Sequence, residues 1–323
     1  MFRGPRTYFA YSVLAITLGS CQANPDGLKG GVATTAVPRG GNGGARNGGA
    51  GGSANTGGSA VPDAAPDLKP ALPDAVAVEA APPIDMRPRE LWKPTIGLTW
   101  DYQLVSPINP AAAVQVFEIS LFETLPAVVT DLHTRGKKVI CHVDMGTFED
   151  WHPDAERIPK EAIGPMVVDK RWLDIRNRTL VAVMRGRLDM AVKLGCDGIM
   201  FDNVDAWDTK LHGDVGFPLL GMDQLIYNRT LASEARAKGL AVGLMNDIHQ
   251  IEELVPAFDF SVTEECFEGM ECELQKPFLD AGKPVFDIEY TLATTAFCTM
   301  AKTMKISAIK KKPELDAFRE ACP

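Results

Sequence analysis

The chain has 323 residues, of which 46% are hydrophobic and 23% are charged, the balance of an ordinary globular protein. Its formal net charge is −9, and residues 92–323 alone carry −10. A charge of this sign argues against nucleic acid or anionic lipid as the partner of that part of the chain, and it favours a cationic ligand.

The first 21 residues predict an export signal. Two arginines precede the apolar run YFAYSVLAITLG, which is too short to span a membrane and has the form of a secretory signal. The run ends at Leu18-Gly19-Ser20-Cys21, which resembles the bacterial lipoprotein signal, where cleavage leaves a lipidated N-terminal cysteine. We therefore expect residues 1–21 to be a lipoprotein signal, with Cys21 lipidated and the protein anchored to a bacterial membrane outside the cytoplasm. A simple secretory signal with an incidental cysteine is the alternative.

Residues 22–91 have the composition of a disordered linker. They are dominated by Gly, Ala, Pro, Asn and Asp, contain no aromatic residue, and include the tract GGNGGARNGGAGGSANTGG. Such a segment buries too little apolar surface to offset the entropy lost on ordering. We expect a flexible tether that places one folded domain, residues 92–323, at a distance from the anchor.

From Thr95 onward, short β-branched runs alternate with helical patterns, and the helices over 178–194 and 223–238 each end at a glycine. The apolar runs are mostly unbroken, as in strands buried on both faces of a parallel sheet. This repetition predicts an α/β fold, a (β/α)8 TIM barrel. An open doubly wound sheet is the competitor, but no glycine-rich phosphate loop follows the first strand. The predicted strands cover residues 95–100, 114–119, 137–144, 198–205, 240–247, 259–265, 284–290 and 306–311.

Six cysteines remain once Cys21 is set aside, and an even number in an exported chain predicts a disulfide framework. Fifteen connectivities are possible, and buried free thiols are an alternative for some of these residues. The simplest pairing joins neighbours along the chain and across predicted adjacent strands: Cys141–Cys196, Cys266–Cys272 and Cys298–Cys322. No CxxC spacing or His/Cys cluster indicates zinc.

Carboxylates recur at or just past the C-terminal ends of the predicted strands, the face that carries the active site in this fold. One or two would serve as helix caps, and Asp247 is a candidate for that role. Paired carboxylates there suit glycosidic bond cleavage, and nearby aromatic faces suit stacking on sugars. The acids are Asp101, Asp144, Asp202, Asp247, Glu264 and Glu289, and the aromatics are Trp100, Tyr102, Trp151, Trp207 and Tyr290.

Six segments carry a family resemblance: GKKVICHVDMGTFEDWHPDA, RWLDIR, GCDGIMFDNVDAW, DQLIYNRTLASEARAKGLAVGLMND, FDFSVTEECFEGMEC and GKPVFDIEY. In this order they resemble the motifs of glycoside hydrolase family 114, the endo-α-1,4-polygalactosaminidases. The resemblance implies a (β/α)8 barrel that hydrolyses α-1,4-linked galactosamine polymers at its mouth without metal or organic cofactor. A partly deacetylated galactosamine polymer is cationic, in agreement with the acidic domain, and we expect a monomer.

Carried over by motif, the resemblance implies that Asp202 and Glu264 are the catalytic pair. We assign Asp202 as nucleophile and Glu264 as general acid/base of a retaining enzyme. A salt bridge to a neighbouring strand is an equally open role for Glu289. The residues expected to bind substrate are Trp100, Asp101, Asp144, Asn203, Asp205, Asn246, Glu289 and Tyr290.

The chain departs from the family pattern beside both catalytic motifs. Met200 and Met245 stand where a Glu and a Lys are usual, as in an apolar replacement of a buried ion pair. Near the same strand ends, Thr263 and Glu265 replace Asn and Gln, and His142 and Asp144 replace Tyr and Ser. If the lost charges contact sugar in the family, the amino-sugar specificity of this chain differs.

Two other functions compete with hydrolysis by paired carboxylates. A non-catalytic polysaccharide-binding barrel would keep the aromatic residues but lose a catalytic acid, and both acids are present. A metal-dependent hydrolase needs histidine-rich strand ends. Of the five histidines, His142 alone lies on a predicted strand near that face.

Overall fold

The computed structural model describes residues 91–322, so the predicted signal, Cys21 and nearly all of the predicted linker lie outside the described residues. The strands are β1 (Trp100–Gln103), β2 (Val116–Ser120), β3 (Lys138–Asp144), β4 (Ile163–Val167), β5 (Lys170–Leu173), β6 (Gly198–Asp202), β7 (Ala241–Met245), β8 (Phe260–Glu264), β9 (Val285–Glu289), β10 (Ser307–Lys310) and β11 (Glu320–Ala321).

The helices lie mainly between successive strands. They are α1 (Pro126–Thr134), α2 (Arg178–Leu194), α3 (Thr209–His212), α4 (Gly221–Ala237), α5 (Ile251–Leu254), α6 (Lys276–Asp280) and α7 (Thr294–Met304). The long helix α2 has the boundary residues from which a helix can be predicted in the sequence. The side chain of Asn177 caps its first turn, and Gly195 ends it with φ 100°.

Eight of the strands form a curled parallel sheet in the order β1-β2-β3-β6-β7-β8-β9-β10, and the short β11 adds antiparallel to β10. The eight parallel strands predicted from apolar runs are therefore confirmed in number, order and direction. Parallel strands place their C-terminal ends at one edge of the sheet, so the residues that follow them meet there.

The first strand begins later than predicted. It was expected over residues 95–100, but it starts at Trp100. Gly97 adopts φ 89°, a turn conformation that interrupts an extended chain. The stretch before Trp100 also alternates between exposed and half-buried, and so lacks the burial that holds an inner strand. This shift moves Asp101 from beyond the strand end into the strand itself.

An antiparallel hairpin, β4–β5, lies between β3 and α2 and was not predicted. Its strands form a separate two-stranded sheet, and Thr147 bridges to Trp172 to tie it to the loop after β3. The sequence of this segment is short and mixed in polarity, with no run comparable to the barrel strands. The hairpin places Lys170 at the C-terminal edge of the large sheet, beside Asn203.

The seam between β1 and β10 is joined by side chains. Among residues 91–322 no backbone ladder pairs these two strands. Instead, the indole Nε1 of Trp100 donates to the carbonyl oxygen of Ser307 at 2.7 Å. Lys311 Nζ lies 2.9 Å from Asp101 Oδ1, and Arg319 Nε donates to the Trp100 carbonyl at 2.8 Å. The C-terminal segment thus fastens the first strand to the last parallel one.

The interior enclosed by the sheet is apolar, and it contains Met200 and Met245. They are 0% and 2% exposed, packed with Trp100, Phe260 and other strand residues. This placement fits the interpretation that an apolar pair stands where the family has a buried pair of opposite charges. A second, larger apolar cluster lies between the strands and the surrounding helices.

All six cysteines in the described part of the chain are paired as predicted. Cys141–Cys196 joins β3 to the start of β6, Cys266–Cys272 closes a loop after β8, and Cys298–Cys322 ties α7 to the C-terminal segment. The Cα–Cα distances of 5.8, 4.7 and 5.2 Å lie in the normal range for such bonds. Among the helices of residues 91–322, none combines the length and the apolarity needed to cross a membrane.

Candidate active site

Non-glycine residues with left-handed backbone turn the chain directly after three neighbouring strands. They are Asn203 after β6, Asn246 after β7 and Glu265 after β8, with φ between 54° and 55°. These turns end the strands earlier than the sequence predicts and leave the last strand residues, Asp202 and Glu264, half-buried at the edge. Such conformations are costly away from glycine and cluster at functional sites.

Asp202 lies at the centre of this edge. Its carboxylate accepts a hydrogen bond from the backbone N–H of Asn203 at 2.7 Å, and its Oδ2 is 3.5 Å from Nε2 of His142. Burial raises the pKa of Asp202, and the charge of Glu264 raises it further, while His142 and Lys170 act in the opposite direction. The pKa of Asp202 is raised overall, and His142 and Lys170 offset only part of the effect of burial.

A chain of polar contacts fixes the rim next to Asp202. The Lys170 ammonium donates to Asn203 Oδ1 at 2.5 Å, and the Asn203 amide donates to Asp144 Oδ2 at 2.7 Å. Asp144 also accepts the backbone N–H groups of Gly146 and Thr147. Gly146 is required here, since a Cβ at this position would lie 1.6 Å from the Asn203 carbonyl oxygen.

Glu264 lies at the end of β8, two strands from Asp202. The phenol of Tyr290 donates to its Oε1 at 2.5 Å. Burial, followed by the charge of Glu264, raises the pKa of Tyr290 well above its ordinary value, so the phenol stays a neutral donor. Asn246 accepts the backbone N–H of Glu264 at 3.3 Å. Tyr290 therefore orients the carboxylate of Glu264, while Asn246 fixes its backbone.

Two further glutamates belong to this edge and were missed as site residues in the sequence. Burial, with Asp144 and Asp202 contributing, raises the pKa of Glu149 to about 8, and it lies in the loop five residues past β3. Burial, followed by Glu268 and Glu264, raises the pKa of Glu265 to about 7. No spacing rule marks a loop acid of this kind. Both carboxyls can hold a proton near neutral pH.

Several residues predicted to bind substrate lie away from the accessible edge. Trp100 is fully buried against Phe286, with ring centroids 4.9 Å apart, so it packs the interior instead of meeting a sugar. Asp101 is 1% exposed and paired with Lys311 at the seam, because it lies within β1 and not beyond it. These positions correct the prediction of direct contact for both residues.

The remaining buried acids support loops. Asp205 is 6% exposed, and its carboxylate lies 3.1 Å from His212 Nε2. Glu289 is wholly buried, and its Oε1 accepts the backbone N–H of Phe267 at 2.8 Å, within the loop closed by Cys266–Cys272. Glu289 therefore holds the loop that follows Glu264, a role that neither alternative predicted for it.

Asp247 follows β7 but does not point to the edge. It is 2% exposed and accepts from Trp207 Nε1 at 3.2 Å and from Asn228 Nδ2 at 3.1 Å. It thus anchors Trp207 and helix α4, and does not act as the simple helix cap considered from the sequence. Of the predicted rim aromatics, Trp151 is 47% exposed, and its ring lies edge-on to that of His152.

Among residues 91–322 no group of three or more His, Cys, Asp or Glu side chains has an arrangement that could hold a metal ion. The arrangement at the edge is instead one of converging carboxyls with fixed hydrogen-bond donors. Asp202 and Glu264 are both half-buried at this edge. His142 and Asn203 contact Asp202, Lys170 holds Asn203, and Tyr290 donates to Glu264. Such a pair can protonate a leaving oxygen and attack or hydrate an anomeric carbon.

Comparison with known proteins shows the family to which the chain is similar. The model of glycoside-hydrolase family GH114 matches residues 83–323. Among solved structures, Ega3 of Aspergillus fumigatus in complex with galactosamine is 30% identical, covering 72% of this chain and 98% of that one, with a TM-score of 0.68. The glycoside hydrolase domain of PelA from Pseudomonas aeruginosa is 14% identical, covers 69% and 97% with a TM-score of 0.53, and shares the fold. The search of curated proteins found no match.

Proposed function

Because the chain belongs to glycoside-hydrolase family GH114, we propose that it is an endo-acting hydrolase of α-1,4-linked, galactosamine-containing polysaccharide. The observation that carries the proposal is the placement of Asp202 and Glu264 at the C-terminal ends of β6 and β8, where both are half-buried at the same edge of the sheet. Galactosamine bound to Ega3 supports a substrate of this class.

In this proposal Asp202 attacks the anomeric carbon while Glu264 protonates the leaving glycosidic oxygen. Water activated by Glu264 then hydrolyses the glycosyl-enzyme, with retention of configuration. The attack needs an ionised Asp202, and His142 and Lys170 are the neighbours that counter the burial raising its pKa. We further propose that the eight parallel strands form a (β/α)8 barrel, in which the C-terminal segment joins β1 to β10. We also propose that the reaction needs no cofactor.

The departures from the family pattern bear on specificity. Met200 and Met245 lie beneath the edge and are almost fully buried, so neither side chain can touch a sugar. Thr263 is also buried, at 2% exposure. The accessible departures are His142 and Glu265, which are half-buried at the edge itself. The acidity of the domain supports a cationic, partly deacetylated polymer as substrate.

Digestion of a panel of defined polymers tests this function. We expect oligosaccharides of several lengths from α-1,4-galactosamine polymer and no products from chitosan, whose β-linkages present the opposite face of the anomeric carbon. Mass spectrometry of the products shows whether the polymer is cleaved and whether the action is endo or exo. Release of monosaccharide alone would contradict endo action. Absence of any product, with binding retained in a pull-down on the same polymer, would favour the non-catalytic barrel.

The N-terminal sequence supports a proposal on location. We propose that Cys21 is lipidated and that the chain is anchored to a bacterial membrane outside the cytoplasm through the Gly-rich segment. A lipidated cysteine that carries more than one acyl chain anchors stably. Expressed in a bacterium, wild-type protein is expected in the salt-washed membrane fraction and Cys21→Ser in the soluble fraction. Membrane association unchanged by Cys21→Ser would contradict the anchor.

A further inference from the structure

Glu118 is a buried acid that the proposed reaction does not use. It lies on β2, is 0% exposed, and neither of its carboxylate oxygens has a hydrogen-bond partner among the described residues. Burial raises the pKa of Glu118, and His142 is the neighbour that lowers it. An ionised carboxylate in this position needs a cation, because the cost of burying a lone charge is several kcal/mol.

His142 connects this acid to the edge of the sheet. Its Nδ1 lies 2.9 Å from the hydroxyl of Tyr102 and 3.5 Å from Glu118 Oε1, while its Nε2 faces Asp202 Oδ2 at 3.5 Å. The ring therefore lies between a buried carboxylate and the carboxylate of the proposed nucleophile. A ring protonated on both nitrogens presents N–H to both sides, and a neutral ring cannot.

We propose that His142 is a positioning residue for Asp202, held as an imidazolium by Glu118 and Tyr102. Resting on the proposed function, this assigns a role to a side chain that stands where the family has Tyr. In its charged form His142 keeps Asp202 ionised and oriented toward the anomeric carbon. After loss of the Nε2 proton, a lone pair faces Asp202 and the contact becomes repulsive.

The charged surroundings of His142 come from five elements. Tyr102 faces it from β1, Glu118 from β2, Asp144 from its own strand, Asp202 from β6 and Glu149 from the loop after β3. Burial lowers the pKa of His142, but the neighbouring Glu118 carboxylate and the charges of Asp202 and Asp144 outweigh it, so the pKa is raised overall. The imidazolium is therefore present below this raised pKa and lost as pH rises through it.

Two arms test the proposal on the full chain. The first follows the five histidine ring signals by NMR against pH and assigns His142 by the signal that His142→Gln removes. We expect His142 to titrate above the ordinary value of about 6.5, and at lower pH in Glu118→Gln and in Asp202→Asn. Titration at or below 6.5, unchanged in Glu118→Gln, would overturn the proposal. This arm needs no activity, so it stands even if the proposed function fails.

The second arm measures kcat and KM on galactosamine polymer as a function of pH. We expect His142→Gln to lower kcat by about 10²-fold, with KM little changed, and to remove the contribution of His142 to the fall in kcat at alkaline pH. Glu118→Gln should move that fall to lower pH. His133→Gln is the matched control, because His133 pairs with Asp197 at the opposite ends of the strands. An unchanged alkaline limb in both His142→Gln and Glu118→Gln would contradict the role.

Discussion

Asp202→Asn and Glu264→Gln are each expected to lower turnover of galactosamine polymer by about 10³-fold or more, since each removes a group that acts on the reacting bond. Both side chains are half-exposed at strand ends, and both changes are nearly isosteric, so the fold should persist. Turnover is measured by reducing-end release, with circular dichroism to show that each variant is folded. Glu252→Gln, an exposed glutamate on α5, is the matched control.

A substrate with a good leaving group distinguishes the nucleophile Asp202 from the general acid Glu264. An activated aryl glycoside leaves without protonation, so Glu264→Gln should keep its first step there while Asp202→Asn does not. NMR of the initial product tests the assignment of a retaining mechanism, which predicts the α-anomer first. The β-anomer would instead make Asp202 the base that activates water. Near wild-type turnover in either variant on the polymer would exclude that residue from catalysis.

Lys311→Met is expected to lower the free energy of unfolding by about 3–5 kcal/mol, because it leaves the Asp101 carboxylate buried without its partner. Lys311 is 0% exposed, and its Nζ also donates to the Asp316 carbonyl at 2.8 Å. Burial lowers the pKa of Lys311, while Asp101 counters that effect. The pair lies at the seam, so its loss should release the C-terminal segment from β1.

Chemical denaturation followed by tryptophan fluorescence measures this effect, since Trp100 lies beside the pair. The double variant Asp101→Leu with Lys311→Met removes both charges and should recover most of the loss. Lys276→Met is the control, because Lys276 forms an exposed pair with Asp280, and its effect should stay within about 0.5 kcal/mol. Equal effects of Lys311→Met and Lys276→Met would contradict a structural role for the seam pair.

The sequence by itself determined the plan of the sheet, whereas it left fifteen connectivities open for the six cysteines, and the structure decided among them. Strands buried on both faces are mostly apolar, so the sequences of β6 and β7 can be recognised as short apolar runs. The glycine that ends α2 marks a helix boundary for a local steric reason. Asp202 and Glu264 could also be placed at one edge, because parallel strands bring their C-terminal ends together whatever the loops do.

Only the tertiary structure decided which of the acids meet at that edge and which are buried. Asp101 and Lys311 are 210 residues apart in the chain, and no periodicity links them. Trp100 became a core residue because Gly97 delays β1, and Lys170 reached Asn203 through a hairpin without a clear strand pattern. The hydrophobic pattern along the chain indicates whether each segment is buried. Which side chains meet inside the sheet depends on how all of its strands curl together. The approach of His142 to Glu118 could therefore be seen only in the tertiary structure.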